Sequence, residues 1–156
     1  MGIYQLKTEQ LIPSTLEKVW DFISSPKNLA KITPPYMGFE ITNDPGSEKM
    51  YPGQIISYKV SPLLGIKMDW VTEITQVVEN QYFVDEQRVG PYNIWHHQHM
   101  IEAVADGVLM KDIVSYKPPF GFLGQIANAL IIRKQLDEIF AYRFHAVEQE
   151  FGKLVL

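Results

Sequence analysis

Apolar and polar residues alternate through the middle of the chain, between Gly53 and Lys117. Five such runs are separated by short turn sequences, and they are Gln54–Val60, Ile66–Val78, Tyr82–Arg88, Asn93–Val104 and Val108–Tyr116. Alternation with a period of two, bounded by Gly, Pro, Asn and Asp, is typical of strands joined by hairpins. The pattern therefore predicts an antiparallel meander with one buried face.

The sequence before the meander predicts one strand and two short helices. The strand covers residues 4–11, and Ser14 with Glu17 three positions later forms a capping box at the start of the first helix. That helix has apolar residues at helical spacing and ends before Pro26. A second short helix is expected near residues 27–31, and a short strand near residues 39–43.

After Pro118 and Pro119 the apolar period becomes that of a helix running from about Phe120 to about Phe151. Its predicted apolar side carries Leu123, Ile126, Leu130, Leu136, Ile139, Phe140, Phe144, Val147 and Phe151. Such a helix is roughly 40 Å long, which suits a helix held by a curved sheet. We therefore expect an α+β helix-grip fold, a curved antiparallel sheet wrapped around a long C-terminal helix. Gly121 and Gly124 are interpreted as a low-bulk entry to this helix, not as a phosphate loop.

The side chains that face this helix follow from the alternation and from the turns. Two-residue turns are expected at Asn80-Gln81 and at Asp106-Gly107, with an odd-numbered loop around Gly90-Pro91. This register places a polar group at one end of an otherwise apolar inner face, and its members are Asp85, Gln87, Trp95, His97, His99, Asp112 and Tyr116. Because unpaired buried polar groups cost several kcal/mol, we expect these residues to bond to each other, to water or to a ligand. His99 in particular is expected beside Asp112 and Tyr116.

Composition narrows the possible functions. The 156 residues fit a single domain over 1–156, and the net charge of −4 gives no electrostatic attraction to nucleic acid or anionic lipid. The chain has no cysteine, which excludes disulfides and thiolate catalysis. Neither a signal peptide nor a membrane-spanning segment is evident. We therefore expect a cytoplasmic protein without stable membrane insertion, present as a monomer or weak homodimer.

Two stretches carry a family resemblance. The segment IPSTLEKVWDFISSPKNLAKITP resembles the opening of the SRPBCC (START and Bet v 1-like) superfamily. The strings FVDEQRVGPYNIWHHQH and DGVLMKDIVSYKPPFGFLG are similar to a bacterial ligand-binding SRPBCC subgroup of unassigned ligand, and related domains occur fused to sugar-nucleotide epimerase-like proteins. The resemblance implies a hydrophobic tunnel between the sheet and the long helix. It implies no single reaction, since the superfamily includes carriers, sensors, hydroxylase domains and polyketide cyclases.

The leading functional hypothesis is non-enzymatic binding of a hydrophobic or amphipathic small molecule, such as a lipid, an isoprenoid or a polyketide-like compound. The predicted ligand-binding residues are Tyr58, Trp70, Phe83, Asp85, Gln87, Trp95, His97, His99, Asp112, Tyr116, Leu130 and Phe140. No catalytic residue, cofactor or metal is assigned. The aromatic residues among them serve equally well as cavity wall or as plain core.

Other interpretations stay open. One is a cyclase- or hydratase-type enzyme with Asp85, His97, His99, Asp112 and Tyr116 as acid and base groups. Another is an interaction module that docks a partner protein. His97, His99 and Asp112 also have ligand types suited to a metal, although no water-activating Glu accompanies them. Arg133 and Lys134 are interpreted as a solvated helix face, with contact to a ligand carboxylate as the alternative.

Overall fold

Seven strands form one antiparallel sheet in the part of the chain that the computed structural model describes, residues 2–46, 48–63 and 65–154. The strands are β1 (Tyr4–Ile12), β2 (Glu40–Ile41), β3 (Gln54–Leu63), β4 (Ile66–Val78), β5 (Tyr82–Val89), β6 (Ile94–Val104) and β7 (Gly107–Lys117). Their order across the sheet is β1-β7-β6-β5-β4-β3-β2. Strands β3 to β7 are therefore the predicted meander, and β1 closes its far edge by pairing with β7.

Two groups of helices complete the fold. After β1 come α1 (Leu16–Ile23) and 3₁₀ turns at Pro26–Asn28 and Pro35–Met37. After β7 come α2 (Gly121–Ala127), a π-helical turn (Asn128–Ile132) and α3 (Arg133–Phe151). The last three follow one another without a break and form the long C-terminal helix that the sheet grips. No helix among the described residues is both long and apolar enough to cross a bilayer.

The start of α1 differs from the predicted capping box. Thr15, not Ser14, is the N-cap, and its Oγ1 accepts a hydrogen bond from the backbone N–H of Lys18 at 3.4 Å. Thr15 has extended backbone angles, φ −86° and ψ 154°, as an N-cap residue requires. The predicted second helix is also shorter than expected, since Pro26 itself begins a single 3₁₀ turn.

The β6–β7 hairpin turns one residue earlier than predicted. Val104 pairs with Gly107, so the turn residues are Ala105 and Asp106. The partner of every β6 residue consequently moves by two positions, and His99 lies directly opposite Asp112. Because a shift of two keeps each side chain on the same face, the predicted inner face survives the error.

The β4–β5 hairpin differs from the predicted register in two ways, and their effects on the inner face of β5 cancel. Val78 pairs with Tyr82 across a three-residue loop, not the predicted two-residue turn, and Asn80 takes a positive φ of 60° within it. A β-bulge between Ile74 and Gln76 then restores the original alternation, so Asp85 lies opposite Ile74. Only the residues between bulge and loop are affected. Gln76 is exposed there, although the preceding even-numbered residues of β4, Trp70, Thr72 and Ile74, are buried.

The first half of the long helix does not bury its predicted apolar side. Leu123, Ile126 and Leu130 are 68%, 42% and 72% exposed. The π-helical turn rotates the side chains by inserting extra backbone, and it buries Asn128 and Ile132 instead. In α3 the predicted side is correct for Leu136, Phe140 and Val147, whereas Phe144 is partly exposed.

Candidate functional site

A cavity of about 150 Å³ lies between the inner face of the sheet, residues 29–39 and α3. Its sheet side carries the aromatic residues Tyr58, Trp70, Phe83 and Trp95. Its helix side carries Leu136, Ile139, Phe140 and Arg143. Apolar groups thus dominate the wall, and the ionisable side chains Asp85, His97, His99 and Arg143 lie together at one end.

Two residues of the aromatic wall bond to the hydroxyl group of Thr72. Trp70 Nε1–H donates to Thr72 Oγ1 at 3.1 Å, and the Tyr58 hydroxyl lies 3.2 Å from the same oxygen. The rings of Tyr58 and Trp70 stack at 6.1 Å, while Trp95 meets Trp70 edge to face at 5.2 Å. Because these contacts fix the rings and use the polar atoms of Trp70 and Tyr58, this part of the wall presents mainly apolar surface to the cavity.

The polar end of the cavity is a network of two carboxylates and two imidazoles. His99 Nε2 lies 2.7 Å from Asp85 Oδ2, and His97 Nε2 lies 3.0 Å from Asp112 Oδ1. Two further contacts cross between these pairs. His99 Nδ1 is 2.9 Å from Asp112 Oδ1, and His97 Nδ1 is 3.5 Å from Asp85 Oδ2. Each histidine therefore lies between the two carboxylates.

Arg143 on α3 adds the balancing positive charge. Its Nη2 lies 3.3 Å from Asp112 Oδ1 and 3.1 Å from His99 Nδ1. With Nδ1 unprotonated, His99 accepts from Arg143; with Nδ1 protonated, it donates to Asp112 and the guanidinium turns to that carboxylate. Two hydrogen-bond arrangements thus share one set of atoms.

Burial and charge shift the pKa values of this network in opposite directions. Burial raises the pKa of Asp112, but the nearby Arg143 charge and the hydrogen bonds from the histidines outweigh it and hold that pKa well below its usual value. Burial likewise raises the pKa of Asp85, but the hydrogen bond with His99 and the positive charges of the histidines and Arg143 together outweigh it and lower that pKa.

The two histidines differ from each other. Burial, followed by repulsion from His99, lowers the pKa of His97 to about 4. Burial also lowers the pKa of His99, but the hydrogen bonds to Asp112 and Asp85 outweigh this effect and raise the pKa above the ordinary value. His99 therefore binds a proton in preference to His97.

Eight of the twelve predicted site residues line this cavity. They are Tyr58, Trp70, Phe83, Asp85, Trp95, His97, His99 and Phe140. Gln87, Asp112, Tyr116 and Leu130 do not line it, and each has a local reason. Asp112 lies behind the two imidazoles, where it faces a second groove between β1 and α3. Leu130 points to solvent because of the π-helical turn.

Tyr116 and Gln87 stabilise neighbouring structure instead. The Tyr116 hydroxyl donates to Asn128 Oδ1 at 2.8 Å, which ties β7 to the π-helical turn and keeps this tyrosine out of the histidine network. Gln87 bonds the backbone of Tyr92 twice, through Nε2 at 2.6 Å and Oε1 at 3.2 Å. The expected trio is therefore correct for His99 with Asp112 and wrong for Tyr116.

Arg143 is the main site residue that the sequence interpretation missed. It occupies the buried stripe of α3 between Phe140 and Val147, at spacings of three and four residues. That spacing was the available signal, because an arginine on the apolar side of a helix needs a buried acidic partner. Thr72 was missed as well, and its position among the inward even-numbered residues of β4 would have indicated it.

Solved structures share this fold. TTHA0849 from Thermus thermophilus gives a TM-score of 0.70 at 16% identity, over 95% of this chain and 97% of that one. Ara h 8.0201 gives 0.59 at 14% identity, over 95% and 99% of the two chains. A nucleoside-diphosphate sugar epimerase from Corynebacterium glutamicum gives 0.65 at 22% identity, over 93% of this chain but only 28% of that one. At these identities the likeness concerns the fold alone.

The sequence itself identifies the family. Comparison with curated proteins gives no match. The family described as "Polyketide cyclase / dehydrase and lipid transport" matches residues 12–144. This range includes the cavity wall and all five members of the polar network, Asp85, His97, His99, Asp112 and Arg143. The chain therefore belongs to the polyketide cyclase/dehydrase and lipid transport family and has the helix-grip fold of the SRPBCC, Bet v 1-like proteins.

Proposed function

We propose that the protein binds a hydrophobic or amphipathic small molecule in the cavity, without catalysing a reaction. The aromatic wall supplies affinity by burying apolar surface, at about 25 cal/mol per Å². The polar end supplies orientation. The observation that best supports this proposal is the position of one carboxylate, Asp85, at the end of an aromatic cavity. A cytoplasmic location and a monomeric or weakly dimeric state stay predictions from the sequence. A role in docking other proteins stays an alternative function.

The size of the cavity favours a compact ligand. Its volume of about 150 Å³ equals that of an engineered protein cavity that binds benzene. Sites for larger organic ligands measure about 300–1,000 Å³. Among the predicted ligand classes, a ring of polyketide type thus fits better than a long lipid or isoprenoid chain.

Asp85 favours a ligand that carries a hydrogen-bond donor. Its side chain is 14% exposed, more than that of either histidine. Because its pKa is lowered, the carboxylate is ionised at neutral pH and accepts hydrogen bonds. A phenol or enol hydroxyl at the edge of an apolar ring matches this arrangement. Hydrogen bonds to charged groups contribute about 1.5–3 kcal/mol, enough to set the direction in which the ring enters.

Tryptophan fluorescence tests this proposal directly, because Trp70 and Trp95 line the cavity. We expect 4-ethylphenol to change the emission and to bind about tenfold more tightly than ethylbenzene, which has the same shape without the hydroxyl. The Asp85→Asn variant should lose most of that preference while still binding ethylbenzene. Solvent extraction of freshly purified protein, followed by mass spectrometry, identifies the natural ligand.

Two tryptophan substitutions on the long helix provide a matched pair. Ile139→Trp fills the cavity from a half-buried position and should abolish binding, whereas Ile131→Trp adds the same group at an exposed position and should not. Equal binding by both variants, or no binding of any ring compound by the parent, would contradict the proposal.

A cyclase- or dehydrase-type reaction is the second candidate function, and one observation favours it. His97 faces the cavity as a neutral imidazole, since its pKa is about 4. A neutral imidazole is able to accept a proton from a cyclising substrate, and the ionised Asp85 beside it would stabilise the imidazolium that forms. Tyr116, an expected acid/base group, has no place in this scheme because it bonds Asn128. Turnover of a polyketide-like substrate that disappears in His97→Gln would favour catalysis over simple binding.

A further inference from the structure

We propose that Asp85, His97 and His99 form a site for a divalent transition-metal ion at the polar end of the cavity. Each residue offers one donor atom, and the three donor atoms lie within 4.8 Å of one another. The sequence spacing had pointed to Asp112 as the carboxylate ligand. In the structure Asp85 takes that position, and Asp112 lies on the far side of both imidazoles.

One of the two separations from Asp85 matches that of ligands around a metal ion, and the other is slightly shorter. Asp85 Oδ2 is 2.7 Å from His99 Nε2 and 3.5 Å from His97 Nδ1. Ligands bonded at about 2.0–2.2 Å to one ion stand about 3.0–3.5 Å apart in tetrahedral or octahedral geometry. Binding thus requires a small opening between Asp85 and His99 and a separation of the imidazole rings of His97 and His99, whose centroids are 3.6 Å apart.

All three proposed ligands lie on paired strands of the sheet. His97 and His99 alternate on β6, so both point to the same face, and Asp85 is the β5 residue directly opposite His97. Phe83 stacks on the His99 ring at 4.1 Å between centroids. Ligands on paired strands, held by packing, keep their geometry better than ligands on loops.

Asp112 provides the outer support that metal-bound histidines require. Its Oδ1 lies 3.0 Å from His97 Nε2 and 2.9 Å from His99 Nδ1, the two ring nitrogens that do not face Asp85. Metal-ligating histidines usually direct their second nitrogen to a carboxylate, which fixes the ring and raises its basicity. One carboxylate serves both rings here, and Arg143 neutralises it from behind.

The donor set and its access indicate the kind of ion. Two imidazoles and one carboxylate suit Zn²⁺ or Fe²⁺ better than Mg²⁺ or Ca²⁺, which prefer oxygen ligands. The three ligands all line the cavity, so an ion there keeps coordination positions open toward a bound molecule. Three protein ligands and an open position are the arrangement of catalytic zinc sites, whereas structural sites are closed.

The test uses metal alone, without any organic ligand. Protein stripped with EDTA is titrated with Zn²⁺ by calorimetry and with Co²⁺ by visible absorption. We expect one ion per chain, a melting temperature that rises with free Zn²⁺, and Co²⁺ bands typical of nitrogen and oxygen ligands. Because binding of ring compounds is measured separately, failure here leaves the proposed ligand binding intact.

The variants separate this site from adventitious histidine binding. Asp85→Asn and His97→Gln should weaken Zn²⁺ by about 100-fold or more, and Asp112→Asn by about 10–100-fold while every ligand is retained. His96→Gln is the matched control, because His96 pairs with Glu86 at 3.1 Å outside the cavity. Absence of one-to-one binding, or its loss in His96→Gln alone, would overturn the proposal. Circular dichroism of each variant shows that the fold is retained, and the Co²⁺ spectrum of Asp112→Asn reports on the ligands even if Asp85→Asn unfolds.

Discussion

At the scale of single residues, the buried carboxylate of Asp112 explains why α3 carries an arginine, Arg143, on its inner side. The Arg143 side chain is only 10% exposed, and that of Asp112 is 3% exposed. Neither charge is stable alone in such surroundings, because removing an ion from water without compensation costs several kcal/mol. The two residues, with the histidines between Asp112 and Asp85, therefore depend on each other for their ionised state.

Substitution of Arg143 tests this dependence. Arg143→Met leaves Asp112 without its positive partner, and we expect a loss of about 3–5 kcal/mol in the free energy of unfolding, measured in urea. Lys134→Met removes a positive charge from the same helix whose ion pair with Glu138 is largely exposed. Exposed pairs contribute about 0–1 kcal/mol, so the control should change little. Similar losses in the two variants would show that Arg143 does not compensate a buried charge.

The pKa of His97 predicts how stability depends on pH in metal-free protein. Between about pH 6.5, the ordinary value for histidine, and about pH 4, its folded value, the unfolded chain binds a proton here that the folded chain does not. Stability therefore falls as the pH falls through this window, by up to about 3 kcal/mol. His99 does not oppose this trend. Because its pKa is raised, its contribution to stability is complete below about pH 6.5 and is lost only as the pH rises above that value.

The measurement is a series of urea unfolding curves between pH 7 and pH 4. His97→Gln should flatten the pH dependence, and His96→Gln, altered outside the cavity, should retain it. Asp85 and Asp112 act at lower pH, because their lowered pKa values stabilise the fold above the ordinary carboxyl pKa and lose that effect as the pH falls further. An unchanged slope in His97→Gln would contradict the assignment.

Residue-level chemistry was only partly predictable from the sequence. Alternation placed Asp85, His97 and His99 on one face, because the side-chain period of a strand is two. It could not identify Arg143, since the partner of a helix residue depends on how the helix is rotated against the sheet. The pairing of Tyr116 with Asn128 escaped for the same reason.

At the level of elements, the face on which each side chain lies depends on whether a turn has an odd or an even number of residues, more than on where the turn begins. Moving the β6–β7 turn by one residue changed every pairing partner by two and left each face intact. The three-residue β4–β5 loop would have inverted β5, but the bulge at Thr75 corrects it. Bulges have a weak sequence signal, so this agreement of the inner face rested on two errors that cancel.

The entry to the long helix yields an element-level prediction. A Cβ on Gly124 would collide with the carbonyl oxygen of Pro119, which packs against the first turn of α2. We expect Gly124→Ala to lose about 1–3 kcal/mol in urea unfolding, because overpacking forces the helix away from that loop. Gln125→Ala, at the next and less buried position, is the control. A Gly124→Ala protein as stable as the parent would show that this contact is readily relieved.

At the scale of the whole molecule, the fold leaves a cavity because sheet and helix touch at two separate core clusters. One cluster joins α1 to the end of α3 through Trp20, Phe83 and Val147. The other joins the sheet to the π-helical turn through Trp70, Tyr116 and Ile132. The cavity lies between them, and its overall position was predictable from the fold, whereas its volume depends on side-chain packing that no sequence pattern specifies.

Phe140 connects the cavity to the stability of the whole protein. It is 8% exposed and contacts the His97 ring at 5.6 Å between centroids. Phe140→Ala should cost about 3–5 kcal/mol of unfolding free energy, because the enlarged cavity cannot fully collapse. The same enlargement should shift binding from ethylbenzene toward two-ring compounds such as naphthalene, measured by tryptophan fluorescence. Phe144→Ala, one turn later and 39% exposed, should cost much less and keep the original size preference. If both variants lose equal stability and prefer the same compounds, the volume that Phe140 limits is not where the ligand binds.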